Sequence, residues 1–274
     1  MPTLYGLCAT HPSRAPCVLR DAQNARIADG SVDGWGLGVV KRSTPLTRKQ
    51  SNPAAKSARY REDAFATSGT LFLTQISTAT GSGASNDTVP PFLHRKSMLI
   101  AGGHIPAFPE FRDDLLGALP PSLQESLEPG TWGTHLHHLL LERQRQVPTR
   151  SHTGSLRAVL QNLRQWSRAV DPAAEISLAI LWAIDERLIG LCTGVELFAR
   201  EQTAPFLCPG CGRAHAAPPS GDPYRAVSIA DAPATDEDWE RLPDRSLFTI
   251  DEGATLTVRS LDEVHTGSWL QSQL

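Results

Sequence analysis

Residues 71–108, LFLTQISTATGSGASNDTVPPFLHRKSMLIAGGHIPAF, constrain the fold more than any other stretch of the chain. An apolar run (Leu71, Phe72, Leu73, Ile76) leads into a loop of Thr, Gly, Ser and Asn. Pro90-Pro91 then opens a second apolar run, 98–101, which is expected to stop at Gly102-Gly103. Short apolar runs bounded by turn-forming residues read as buried strands. Two such strands meeting at a glycine pair make a good place for a substrate pocket, because glycine lets a ligand approach backbone N–H groups.

The remaining chain divides in the same way. Residues 3–9 read as a buried strand beginning at the chain terminus, and 31–40 (SVDGWGLGVV) as a turn entering a strand with Gly36 and Gly38 inside it. Residues 41–58 are basic, polar and Pro-containing, and are expected to form a loop. Helices are expected over 108–116, 135–146 and 151–170. The last has Leu156, Val159, Leu160, Leu163 and Trp166 at helical spacing and Asp171-Pro172 at its end. Residues 175–190 form two apolar runs around Asp185-Glu186-Arg187, a hairpin pattern, and 191–199 are expected to give a further strand. Late strands are expected at 224–230, 247–250 and 255–258, with Gly253 turning between the last two. Strands, then helices, then strands, with no repeat and no dividing linker, predict one α+β domain over residues 1–274 with a layered core.

Bulk properties exclude several classes. A net charge of −3 argues against a nucleic-acid or membrane polycation. No apolar run approaches the ~20 residues of a transmembrane helix. The start MPTLYGLCATHPSR lacks a basic n-region and a long apolar segment, so a cytoplasmic location is expected. Five cysteines, an odd number, argue against a disulfide framework.

Several short motifs resemble those of the class II (N-terminal-nucleophile) glutamine amidotransferases, in particular the small stand-alone members. The family start Met-Cys-x-Leu-x-Gly is matched by Met1-Pro2-Thr3-Leu4-Tyr5-Gly6, and its D-G-W-G-x-G turn is intact at Asp33 to Gly38. Its H-x-R-x-A-T strand end is matched by Gln75-Ile76-Ser77-Thr78-Ala79-Thr80, and its N-T-x-P-F loop by Asn86 to Phe92. Its H-N-G-x-I-P segment is matched by Ala101-Gly102-Gly103-His104-Ile105-Pro106, and its G-x-x-D-S-E helix start by Gly130-Thr131-Trp132-Gly133-Thr134-His135. The resemblance implies a four-layer αββα sandwich.

It also implies which positions would carry glutamine hydrolysis, and most of them have changed. The family's nucleophilic cysteine falls on Pro2, which has no side-chain nucleophile. The arginine that pairs with the substrate α-carboxylate falls on Ser77. The oxyanion-binding asparagine falls on Gly102, while the glycine after it is kept as Gly103; each oxyanion donor is worth ~3 kcal/mol. The aspartate that binds the substrate α-amine falls on Gly133. The expected outcome is a retained scaffold without glutaminase activity, acting as a ligand- or partner-binding protein. The alternative is an active amidohydrolase or amidotransferase of altered chemistry on a glutamine- or γ-glutamyl-like substrate. It would use the Pro2 amine or another nucleophile; Cys8, about 20 Å along the same strand if extended, is a candidate, but is expected to be a buried structural cysteine. Gln75, Ser77, Thr78, Thr80, Asn86 and His104 are the expected pocket-lining polar residues. A small amide or amino-acid ligand and a partner protein are the expected partners; nucleic acid and membrane are not.

Cys208-Pro209-Gly210-Cys211-Gly212 has the C-P-x-C-G form of a zinc knuckle, with His215 as a third ligand candidate. Structural zinc is the expected cofactor, with a redox pair or two unligated thiols as alternatives. The knuckle would sit in a hairpin insertion at about 203–222. His135, His137 and His138 are expected to form a solvated or partly capped helix face.

Overall fold

The apolar runs at Leu71 and Met98 lie in different sheets, stacked face to face. The structure, a computed structural model, describes residues 3–14, 34–51, 68–77, 89–124, 127, 131–148, 151–205, 212, 214, 216–218, 221–231 and 238–263. The first sheet contains β1 (Thr3–Arg14), β2 (Gly34–Lys41), β3 (Thr44–Gln50) and β4 (Ser68–Ser77). The second begins with β5 (Phe92–His94), β6 (Ser97–His104), β7 (Ser177–Ile184) and β8 (Arg187–Thr193). β9 (Phe198–Gln202), β10 (Ala226–Ala230) and β11 (Glu240–Arg241) complete the first, and β12 (Ser246–Ile250) and β13 (Leu256–Ser260) the second. The strand orders are β11-β9-β10-β1-β4-β2-β3 and β13-β12-β8-β7-β6-β5, with every pairing antiparallel.

Side-chain alternation sorts the core. Leu4 and Cys8 of β1, Leu71 and Leu73 of β4, and Met98 and Ile100 of β6 fill the space between the sheets with Val227, Ile229, Phe248 and Ile250. The intervening residues Tyr5, Leu7, Trp35, Leu37, Phe72 and Ile76 are buried on the outer face of the seven-stranded sheet. Gly36 permits the closest approach between layers: a Cβ there would lie 1.7 Å from the Pro90 carbonyl oxygen.

Helices α1 (Phe108–Gly117), α2 (Pro121–Gln124), α3 (Trp132–Gln146) and α4 (His152–Val170) cover the outer face of the six-stranded sheet. In α4 the stripe Leu156, Val159, Leu160 and Leu163 is buried as its spacing predicts, with Trp166 packed at its edge. The Ser151 side chain caps α4 by accepting the Gly154 N–H at 3.1 Å. The described residues thus supply one helical layer and both sheets of the expected sandwich.

Three sequence readings are corrected. Residues 44–50, expected in a loop, form edge strand β3; its alternating exposed and half-buried side chains and its single partner, β2, explain why it reads as polar. β6 does not stop at Gly102-Gly103 but runs to His104, paired with β7 throughout. Residues 191–199 are not one strand: β8 ends at Thr193, Gly194 adopts φ +64°, and β9 begins at Phe198.

Candidate functional site

The start of β1, the end of β4 and the start of β2 come together in the register. Thr3 faces Ile76 and Leu4 faces Gln75, while Gly34 faces Ser77 and Gly36 faces Gln75. Gln75 ties this end to the other sheet. Its side chain points between the layers and is 4% exposed, and its Nε2–H donates to the Ala101 carbonyl at 3.0 Å. Its Oε1 is buried with no hydrogen-bond partner among the described residues. The bond lands one residue before Gly102-Gly103, so Gln75 lies near the expected glycine pair.

Gly102 is buried, and Gly103 and His104 are exposed. Gly103 has φ +121°, and a Cβ there would lie 2.2 Å from the Ser177 carbonyl oxygen across the β6–β7 pairing. Only glycine fits on both counts. Gly133 is the second residue of α3 and is buried. A Cβ on it would lie 2.4 Å from Phe92 Cε2, so the ring occupies the direction a side chain would take. Phe92 follows Pro90-Pro91, whose peptide bond is cis, and pairs with Leu99 across β5–β6. Motif comparison assigned Phe92 no role; only the packing reveals one.

Pro2, Thr78, Thr80 and Asn86, the Ser77 side chain, and the knuckle residues Cys208, Cys211 and His215 lie outside the described residues. No group of three or more His, Cys, Asp or Glu side chains among the described residues is arranged to hold a metal ion.

Cys8 is not a spare nucleophile. Its side chain lies between the sheets, paired in register with Leu71 and Val227, and the thiol donates to the Asp251 carbonyl at 3.4 Å. Burial, aided by the nearby acids Asp251, Glu252 and Glu186, pushes its pKa to about 12. A thiol so held stays protonated and inert at neutral pH.

The histidines of α3 are buried, not solvated. His135 and His138 each direct Nδ1 at the carbonyl four residues back, Thr131 at 2.6 Å and Thr134 at 2.9 Å, which places their protons on Nδ1. His135 Nε2 then accepts from Arg112 Nε–H at 3.3 Å. His137 Nε2 lies 2.7 Å from Ser97 Oγ, which accepts the Trp182 Nε1–H at 2.7 Å. The sequence held one signal for this burial: from Gly133 to Leu141 the helix carries no Lys, Arg, Asp or Glu, and charge begins only at Glu142.

No family model matches the chain, and no curated protein matches it by sequence. Solved structures do. A glutamine aminotransferase class-II domain protein from Silicibacter pomeroyi superimposes at TM-score 0.65 with 16% identity, over 95% of this chain and 100% of that one. The glutamine phosphoribosylpyrophosphate amidotransferase of B. subtilis, complexed with ADP and GMP, matches at TM-score 0.62 with 12% identity. That match covers 94% of this chain and 49% of the other, so the chain spans about half of that protein's length. A protein described as a predicted glutamine amidotransferase, from Pseudomonas aeruginosa, matches at TM-score 0.56 with 15% identity, over 91% of this chain and 97% of that one. The chain has the fold of the class II glutamine amidotransferases, the αββα class that its motifs imply.

Proposed function

We propose that this chain is a class II glutamine amidotransferase-like protein that does not hydrolyse glutamine and uses the inherited site to bind a ligand or a partner. The observation that carries this reading is the packing of Phe92 on Gly133. Where the family places an aspartate for the substrate α-amine, this chain has no carboxylate, and the Phe92 ring stands 2.4 Å from where a Cβ would lie. The remaining changes point the same way. Pro2 offers no side-chain nucleophile, Ser77 no guanidinium and Gly102 no carboxamide. Loss of a nucleophile costs several orders of magnitude in kcat by itself.

What persists supports binding. Gly103 is retained with φ +121°, and Gln75, bonded to the Ala101 carbonyl, carries a buried carboxamide oxygen with no partner among the described residues. Such an acceptor suits the N–H of a small amide-bearing ligand, since a buried oxygen gains most from a donor that water cannot supply. Calorimetric titration with L-glutamine is the test. We expect no saturable heat with the wild-type protein up to millimolar ligand (a binding free energy weaker than about −4 kcal/mol). Saturable binding in the micromolar range would overturn the reading that the amine position is closed.

A further inference from the structure

A row of aromatic nitrogen rings runs beneath α3. His94 of β5 meets His138 of α3 edge-on with centroids 5.2 Å apart, and His138 meets His137 at 6.1 Å. His137 reaches Trp182 of β7 through the Ser97 hydroxyl, and Trp182 meets His152 of α4 edge-on at 5.3 Å. The row therefore joins the start of α3 to the β5–β6 hairpin, to β7 and to α4. His137 is 1% exposed, and its Nδ1 has no hydrogen-bond partner among the described residues.

The charges around the row do not welcome a proton. Lys49 of β3, whose Nζ lies over the Phe92 ring, acts on His137 together with His94 and His138. Arg95 acts on His94, and Arg112 of α1 on His135. The only acid on α3, Glu142, is held by Arg145 and Gln146. Asp185 pairs with His152, on the far side of Trp182. Burial first, and these cations second, hold His137 far below the ordinary histidine range and His94 below it. For His135 burial also leads, opposed by the Thr131 carbonyl and reinforced by Arg112; for His152 burial is opposed by Asp185.

The position of the row gives it a consequence. Gly133 and His137 share the first two turns of α3, and Phe92 and His94 share β5. Whatever lifts those turns from the hairpin also parts Gly133 from Phe92.

We propose that the row His94–His138–His137, anchored through Ser97 to Trp182, is an acid-sensitive latch on the candidate site. Neutral His94 and His137 seat the start of α3 on the β5–β6 hairpin, and their protonation unseats it and opens the space that Phe92 closes. The latch rests on the reading that Phe92 fills the space at Gly133, whatever the site binds.

Hydrogen exchange followed by mass spectrometry, at about pH 7.5 and about pH 5.5 and corrected for the intrinsic exchange rate, tests it. Protection over 92–100 and 132–141 should fall by about tenfold or more at the lower pH, since each depressed histidine can contribute up to about tenfold per pH unit. Peptides from β1 and β10, which lie away from the row, should lose clearly less protection. His137→Gln, which still reaches Ser97 but takes up no proton, should retain protection at the lower pH. His94→Gln, at the half-exposed hairpin end, should lose less than wild type and decides the matter should His137→Gln fail to fold. Equal loss across both sheets, no loss at all, or profiles unchanged in the variants would each overturn the proposal.

Discussion

Gly103 and Gly133 are small for different reasons. Gly103 combines φ +121° with a backbone oxygen 2.2 Å from any Cβ, so nothing flexible can yield. We expect Gly103→Ala to lower stability by about 3 kcal/mol or more in urea unfolding, through backbone strain and overpacking together. Gly133 has an ordinary helical backbone, where alanine would normally gain about 1 kcal/mol. Here the Phe92 ring opposes it. We expect Gly133→Ala to be destabilising by about 1–2 kcal/mol in the native background and neutral or stabilising beside Phe92→Ala, a coupling that a double-mutant cycle measures. The retained glycine was legible in the sequence because the surrounding motif names it. The role of Phe92 was not, because a ring filling a neighbour's missing side chain is a fact of packing between β5 and α3, elements some forty residues apart in sequence. Cys8 was legible as a buried thiol, and its inertness has a simple check. Iodoacetamide at about pH 8 should leave Cys8 unmodified in the folded protein and label it only after unfolding, since the thiolate is the reacting form.

At the scale of elements, the amphipathic helix α4 and the hairpin β7–β8 were legible because their periodicities are strong and their ends are marked by Ser151, Asp171 and the Asp185-Glu186 turn. β3 was not, because an edge strand with Pro45, Arg48 and Lys49 has the composition of a loop. α3 was placed correctly, but its surface was misread. Histidine is polar in composition and neutral in a buried site, and the sequence does not say which will apply. This has a pH consequence. His94, His135, His137 and His152 are all held below their ordinary value, burial being the main cause. The unfolded chain therefore takes up protons before the folded one does. Stability is fully present above about pH 7 and falls as pH drops through the unfolded value of about 6.5, with the fully buried His137 contributing up to about 1.4 kcal/mol per pH unit. Glu142 and Asp262, held low by Arg145 and Arg245, act with the same sign but only in the more acid carboxylate window. Urea midpoints measured between about pH 7.5 and about pH 5.0 should decline, and the decline should be shallower in His137→Gln.

For the whole molecule, the sandwich follows from alternation. Each of β1, β4 and β6 carries one apolar set toward the opposite sheet and another toward the outside, and no strand so patterned is stable until both faces are covered. The motif resemblance, more than any periodicity, made the fold readable, and solved structures with 12–16% identity share it. The proposed site rests on a set of absences at Pro2, Ser77, Gly102 and Gly133. Whether such absences leave an idle pocket or a remodelled one depends on what fills the space, and at Gly133 that is Phe92. The most direct measurement is glutamate release from saturating L-glutamine by the pure protein, with a Pro2→Cys variant beside it. We expect both to stay at the rate of buffer alone, because under the proposed function restoring a thiol supplies neither the guanidinium nor the carboxylate with which the family is expected to hold glutamine. Release above background by the wild type would contradict the loss of glutaminase chemistry, and release by Pro2→Cys alone would contradict the closed amine position.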